Sequence, residues 1–302
     1  MKKMMMTLVA LAFVLMAGAQ GVKIAPKMEK GMKKSYTTEV TINIPGQKDV
    51  KMQNVTEYVV SDVASDGYTL SITTTDVQSD AAVDDMAAML MTFSEQMLKG
   101  TTLKLKTDVD GKVVAVANYD EVQQKMMDGA EALLKKLYTD NPSMEQMAPR
   151  EALMAQLTGN LTEQALLESV KNATSVVCLN GKTVMTGAAE DYTASQGLKM
   201  KRTYLLTKKD GSTITTSARL NMTKDELKQM VIDEVSASLP ADQVEAVKQN
   251  IDMVMGQMTF DATETATYEM MPDKWVKTLT VNSVIEMMGR KVNTNTRVSL
   301  KE

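Results

Sequence analysis

The chain has 302 residues and a formal net charge of −4, from 34 basic and 38 acidic side chains, with no histidine and one cysteine. This mild acidity argues against nucleic-acid binding, which needs a Lys/Arg-rich face. The lack of histidine removes the commonest general base and the commonest metal ligand. Because Cys178 is the only cysteine, no internal disulfide can form, and packing alone must stabilise the fold.

The N-terminus has the three parts of a secretory signal peptide. Two lysines follow the first residue, an apolar stretch runs from Met4 to Met16, and small residues precede Gln20. This pattern predicts a signal peptide over residues 1–19, with cleavage between Ala19 and Gln20. The apolar stretch is shorter than the roughly 20 residues that cross a bilayer, and no cysteine follows it for lipid attachment. We therefore expect an exported domain, residues 20–302, in the periplasm or outside the cell, with no transmembrane anchor after cleavage.

Alternation of apolar and polar residues predicts strands in the first part of that domain. Tyr36, Val40 and Ile42 share one face of a first strand, a second extended run follows, and the turn at residues 66–67 leads into a third strand. The spacing then becomes helical over 81–98, where Gly100 is placed to form a left-handed C-terminal cap. Three antiparallel strands followed by an amphipathic helix are the simplest interpretation.

The middle of the chain is predicted to be mostly helical. A hairpin with its turn at residues 110–111 precedes a helix that begins at Asn118, with Glu121 as its capping-box partner. Further helices are expected after residue 142 and after Thr162, the last of them reaching about Asn172 before a turn at residues 180–181.

The second half returns to alternation. Strands are predicted over 198–206 and 214–222, then a helix that begins with a Thr223 and Glu226 capping box, a break at Pro240, a second helical stripe, and three long strands up to residue 300. The basic residues Lys199, Lys201 and Arg202 are interpreted as a solvated strand face.

Helical stripes between strands with one polar, Thr-rich face predict an α+β fold. We expect a curved antiparallel sheet whose apolar, concave face is covered by amphipathic helices.

A resemblance adds to this interpretation. The order of elements, the Thr-rich strands, and the sequence Asp-Gly-Lys-Val-Val at 110–114 leading into Asn-Tyr-Asp-Glu at 118–121 resemble those of a family of exported bacterial β-rich proteins of unknown function. The architecture of that family is similar to that of periplasmic lipoprotein and lipid carriers of the LolA and LppX kind. The resemblance implies an unclosed half-barrel plugged by helices, and no catalytic or binding residue follows from it.

Methionine is unusually abundant in this chain, which has 28 methionines but only 3 phenylalanines and 1 tryptophan. Because methionine makes adaptable apolar surfaces, a helix-lined cavity could accept acyl chains or a hydrophobic peptide. Its candidate lining residues are Met89, Met91, Met126, Met127, Met253 and Met255. The alternative is a filled core in which methionine replaces leucine and phenylalanine on the same stripes. No copper(I) or other metal site is expected, because the clustered methionines do not share one helix face.

No residue pattern indicates a catalytic site or a cofactor. Cys178 follows two valines and is expected to be a buried, inert thiol. Pairs such as Asp84–Asp85 and Glu190–Asp191 occur in any acidic protein, and no nucleophile elbow or phosphate-binding loop is present. We therefore expect a non-enzymatic cell-envelope protein that binds a lipid or acyl chain between sheet and helices. The alternatives are a structural or protein-interaction module with a closed core and, third, an enzyme without familiar motifs.

Overall fold

The computed structural model describes residues 21–80, 99–140, 142, 150–158, 161–194, 197–208, 210–238, 244–245, 247–251, 259–287 and 289–301. The predicted signal peptide and the predicted helix over 81–98 lie outside these residues. The strands are β1 (Val22–Lys23), β2 (Lys33–Asn43), β3 (Val50–Ala64), β4 (Gly67–Ser79), β5 (Thr102–Thr107), β6 (Val113–Val116), β7 (Thr183–Val184), β8 (Ala189–Thr193), β9 (Lys199–Leu206), β10 (Thr213–Leu220), β11 (Phe260–Met270), β12 (Val276–Met287) and β13 (Arg290–Leu300). The helices are α1 (Tyr119–Asp140), α2 (Arg150–Thr158), α3 (Glu163–Asn172) and α4 (Lys224–Ser238).

Eleven strands form one curved, unclosed antiparallel sheet in the order β6-β5-β4-β3-β2-β13-β12-β11-β10-β9-β8. The predicted α+β class with an open sheet is confirmed. The predicted hairpin turns are also found, and Gly111 and Gly211 adopt the positive φ angles that such turns require. The first long strand pairs with the last, with Tyr36 opposite Leu300, so the two halves of the chain meet at the centre of the sheet.

The two faces of this sheet differ in polarity. Along β2, Tyr36, Val40 and Ile42 lie on the inner face, whereas Glu39 and Thr41 lie on the outer face. The register carries this alternation across the neighbouring strands. The outer face is rich in threonine and charge, and the inner face carries the buried side chains.

One end of the inner face is filled by a hydrophobic cluster, called the closed core here. Its buried members are Ile24, Met28, Tyr36, Val60, Leu70, Val176, Val177, Cys178, Leu179, Val184, Tyr204, Ile214, Ala266, Tyr268, Met270, Trp275, Val276, Leu279, Val281 and Val298. Residues 22–28 and 176–184 enter this end from outside the large sheet and pair with each other through β1 and β7. The Nε1 atom of Trp275 donates a hydrogen bond to the carbonyl oxygen of Lys27 at 2.8 Å.

Two of the helices pack against inner-face residues of the sheet. In α3, Leu166, Leu167 and Val170 pack against a cluster of β5 and β6 residues that includes Leu105 and Val116. This helix begins at the predicted residue, because the Thr162 hydroxyl accepts a hydrogen bond from the Ala165 amide. It contacts both β6 and β8, the two edges of the open sheet.

The helix α4 packs on the part of the inner face that β10 and β11 form. Leu227 contributes to a cluster that also holds Leu220 of β10 and Phe260 of β11. The predicted capping box is confirmed, because the Thr223 backbone amide donates to the Glu226 carboxylate and the Glu226 amide donates to the Thr223 hydroxyl. In turn α4 contacts α2, and α2 contacts α1, so these three helices form a continuous layer.

Asn118 makes more contacts than a capping residue needs. Its side-chain amide donates to the Glu121 carboxylate and to the Thr102 carbonyl oxygen, and its side-chain oxygen accepts from the Lys104 backbone amide. The residue therefore joins the start of α1 to strand β5 through hydrogen bonds.

Within the described residues, no helix has the length and apolar character that a bilayer crossing requires.

Candidate functional site

A band of polar side chains runs across the inner face of the sheet and is interrupted at β10 by Ala218. We call this band the polar belt. Its members are Thr74 on β4, Asn54 and Thr56 on β3, Thr38 on β2, Thr294 and Thr296 on β13, Ser283 on β12, Glu264 on β11, Arg202 on β9 and Glu190 on β8. Many are direct cross-strand partners: Thr74 and Thr56, Asn54 and Thr38, Thr294 and Ser283, Ser283 and Glu264, and Arg202 and Glu190. On each of these strands the belt interrupts an otherwise largely apolar face.

On β2, β3 and β13 the inner face beyond the belt carries apolar side chains that are only half-buried, whereas on β9 to β12 it is covered by buried clusters. We call the half-buried region the distal patch, and it consists of Val40, Ile42, Val50, Met52 and Val292. Val40 lies opposite Met52, and Ile42 lies opposite Val50. All five side chains are half-buried, whereas the closed core on the other side of the belt is buried. None of the five belongs to a buried hydrophobic cluster in the described part of the chain.

At the β9 end of the belt, Arg202 is buried with only 1% of its surface exposed. Its guanidinium lies 3.3 Å from a Glu190 carboxylate oxygen and 3.0 Å from the Thr174 hydroxyl, and it stacks on the Tyr192 ring at 4.1 Å from the ring centroid. Glu264 lies 3.9 Å away and accepts a hydrogen bond from the Thr174 hydroxyl. Because an arginine is always charged, these carboxylates compensate a cation that has left water.

Glu190 also binds the second cation of the cluster. The Nζ atom of Lys182 lies 2.6 Å from its carboxylate, and the Tyr204 hydroxyl donates a hydrogen bond to the same group. Burial raises the pKa of Glu190, but the hydrogen bonds from Lys182 and Tyr204 and the charges of Lys182 and Arg202 outweigh burial, so its pKa lies below the ordinary value. Two cations and two carboxylates thus neutralise one another.

This charged cluster anchors the segment that plugs the closed core. Thr174 and the carbonyl oxygen of Asn172 bind Arg202 at one end of the segment, and Lys182 binds Glu190 at the other. Between them, Cys178 is buried, with its sulfur 3.0 Å from the Tyr268 hydroxyl. The predicted burial of the thiol is confirmed. Burial, reinforced by the thiol, raises the pKa of Tyr268.

The interpretation of Arg202 as part of a solvated basic face is wrong. Lys199 and Lys201 are exposed on the outer face, but Arg202 shares the inner face with Met200 and Tyr204. The alternation itself contained this information, because successive strand residues point to opposite sides of a sheet. The same rule separates the predicted carboxylate pair 190–191, of which only Glu190 lies on the inner face.

The predicted cavity residues are only partly covered by the structure. Met126 is half-buried on α1 and its neighbour Met127 is 40% exposed. Met89, Met91, Met253 and Met255, like Ala19 and Gln20 at the predicted cleavage site and the Asp84–Asp85 pair, lie outside the described residues. Among the residues described, no cluster of cysteine and carboxylate side chains is placed to hold a metal ion.

Comparisons with known proteins assign no family. No family model and no curated protein matches the chain. A structure of lipovitellin, solved to describe its lipid–protein interactions, is similar over 91% of this chain at 6% identity and a TM-score of 0.40, and the chain spans 26% of that protein. A porin-like protein from Bacteroides uniformis ATCC 8492 is similar over 92% of this chain and 99% of its own, at 8% identity and a TM-score of 0.21. At these scores neither likeness bears on function.

Proposed function

We propose that this protein is a non-enzymatic cell-envelope protein that binds a lipid or acyl chain between the inner face of its sheet and its helices. The observation that carries the proposal is the distal patch. Val40, Ile42, Val50, Met52 and Val292 present apolar, half-buried surface on the concave side of an open sheet. Ligand sites of this kind are concave, mostly apolar and equipped with a few polar groups.

The arrangement around the patch supports a ligand site over an ordinary core. The closed core already provides a buried hydrophobic cluster, anchored by large side chains such as Trp275 and Tyr36. The patch lies on the far side of the polar belt from this cluster, so it is not a continuation of that core. Burying apolar surface gives about 25 cal/mol per Å², which an acyl chain placed on the patch would gain.

The second candidate is a structural or protein-interaction module with a closed interior. It is favoured by the extent of the closed core and by the plug formed by residues 22–28 and 176–184. On this hypothesis the distal patch is covered by protein, and the outer face makes the functional contacts.

Native mass spectrometry of the exported protein, purified without detergent, tests the proposal. We expect a stoichiometric lipid or acyl mass that disappears on organic extraction and returns on incubation with envelope lipids. A bare protein mass that stays unchanged after that incubation would overturn the proposal and favour the closed-interior module.

A matched pair of variants locates the ligand. Val40→Asp places a charge in the distal patch and is expected to abolish the bound mass, because an unpaired charge beside an acyl chain is costly. Thr41→Asp places the same charge on the outer face of the same strand and is expected to keep the bound mass. Equal retention by both variants would place the ligand elsewhere.

A further inference from the structure

We infer that the polar belt selects the ligand's headgroup, and that the preferred ligand is an amphiphile with an uncharged, hydrogen-bonding headgroup and an acyl chain of medium length. This inference rests on the proposed function, because the acyl chain would lie on the distal patch. The headgroup would lie at the belt where β2 and β13 meet, around the hydroxyls of Thr38 and Thr296.

The hydroxyl groups at this point of the belt are available. Thr38 and Thr296 are half-buried, and in the part of the chain that the structure describes neither hydroxyl makes a hydrogen bond. Thr38 lies directly opposite Asn54, and Thr296 occupies the diagonal position on the neighbouring strand. Hydroxyl groups both donate and accept hydrogen bonds, and at half-buried positions they can be reached by a ligand. A polar headgroup would take the place of water on these two hydroxyls.

Among the residues that the structure describes, the side chains around the site carry no net charge, and from this we infer the charge of the headgroup. The belt across β2, β3, β4 and β13 consists of threonine and asparagine side chains. Its charged members are confined to the β8, β9 and β11 side, where Glu190 and Glu264 are matched by Arg202 and Lys182. A headgroup with a net charge would therefore leave water without a compensating group, which is unfavourable.

The distance from the belt to the end of the strands limits the chain. From Thr38 to the end of β2 at Asn43, and from Asn54 to the start of β3 at Val50, the strands extend about 13 to 17 Å at about 3.3 Å per residue. This length suits an acyl chain of medium length, with its tail directed away from the closed core.

Three amphiphiles with the same tail and different headgroups test the inference on the exported protein by isothermal titration calorimetry. They are 1-monolauroylglycerol, ionised lauric acid at alkaline pH, and dodecyltrimethylammonium. We expect the neutral glyceride to bind at least about tenfold more tightly than either ion, because binding an ionic headgroup removes a charge from water and binding the neutral one does not.

The double variant Thr38→Val/Thr296→Val removes both hydroxyls without changing side-chain shape. We expect it to weaken 1-monolauroylglycerol binding by about fivefold for each lost hydrogen bond, while binding of the apolar fluorescent probe N-phenyl-1-naphthylamine stays unchanged. The matched control, Thr37→Val/Thr41→Val, changes the outer face of the same strand and should leave both affinities unchanged.

The outcomes separate the two proposals. If all three amphiphiles bind equally and the double variant binds like the control, the headgroup inference is wrong while acyl-chain binding stands. If neither the amphiphiles nor the apolar probe binds to a folded protein, the proposed function itself fails.

Discussion

The guanidinium carbon of Arg202 lies 4.1 Å from the centroid of the Tyr192 ring, inside the sheet and almost completely out of contact with solvent. A cation stacked on an aromatic face is stabilised by the ring quadrupole, more strongly when it is desolvated. Because Glu190 and Glu264 complete the shell, the arginine joins strands β8, β9 and β11 in one network.

Removing this arginine should destabilise the fold strongly. Arg202→Met keeps most of the side-chain volume but removes the cation that faces the Glu264 and Glu190 carboxylates. Breaking a buried ion pair costs about 3–5 kcal/mol. We expect a loss in the free energy of unfolding of this size in urea titrations. Lys201→Met, on the exposed face of the same strand, is the control and should change it by less than about 0.5 kcal/mol. Equal effects of the two changes would show that the network has no special role.

Acid should weaken the same network. The pKa of Glu190 lies below its ordinary value in the fold, so its ionic contacts stabilise the protein at pH values above the ordinary carboxyl pKa. That contribution is lost as the pH falls through the folded pKa. Glu190→Gln should therefore be less stable than the parent at neutral pH, and its unfolding free energy should fall less between about pH 5 and pH 3. Parallel pH profiles would contradict this prediction.

Cys178 should report on the opening of the closed core. Because the thiol is buried beside Tyr268, we expect no reaction with a thiol reagent such as 5,5′-dithiobis(2-nitrobenzoate) in the native state and one thiol per chain in denaturant. Cys178→Ser combined with Thr41→Cys moves the thiol to the outer face and should react at once. Fast labelling of the parent protein would show that the plug opens readily.

The N-terminal segment should be essential for stability. Ile24 is fully buried in the closed core, and truncating such a side chain costs about 2–5 kcal/mol. Ile24→Ala should lower the unfolding free energy by that amount, followed through the fluorescence of Trp275, the single tryptophan, which is only 2% exposed. Lys23→Ala, at an exposed neighbouring position, should have little effect. Unchanged stability of Ile24→Ala would mean that this segment does not hold the core together.

Local sequence patterns predicted most of the strands and helices, but they did not always predict which side of the sheet a residue faces. The alternation over Tyr36, Val40 and Ile42 predicted strand β2, and the Thr223–Glu226 pair predicted the start of α4, because both signals depend on neighbouring residues. The interpretation of Arg202 failed because the basic residues were grouped by sequence proximity, although alternation separates them. The polar belt was missed for a different reason, since Thr38 interrupts only one strand and becomes part of a band when β3 and β13 lie beside it.

The sequence by itself determined the class of fold, the positions of the long strands and of the turns, and the burial of Cys178, since periodicity and turn chemistry are local properties of the chain. The short strands β1, β7 and β8 were not predicted. Only the tertiary structure decided that β2 pairs with β13, that residues 22–28 and 176–184 plug one end of the sheet, and that Arg202 meets Glu190 and Glu264. These contacts join residues up to about 260 positions apart, and the register between strands places one polar side chain beside the next. Such pairings depend on which distant surfaces bury each other, which no local pattern encodes.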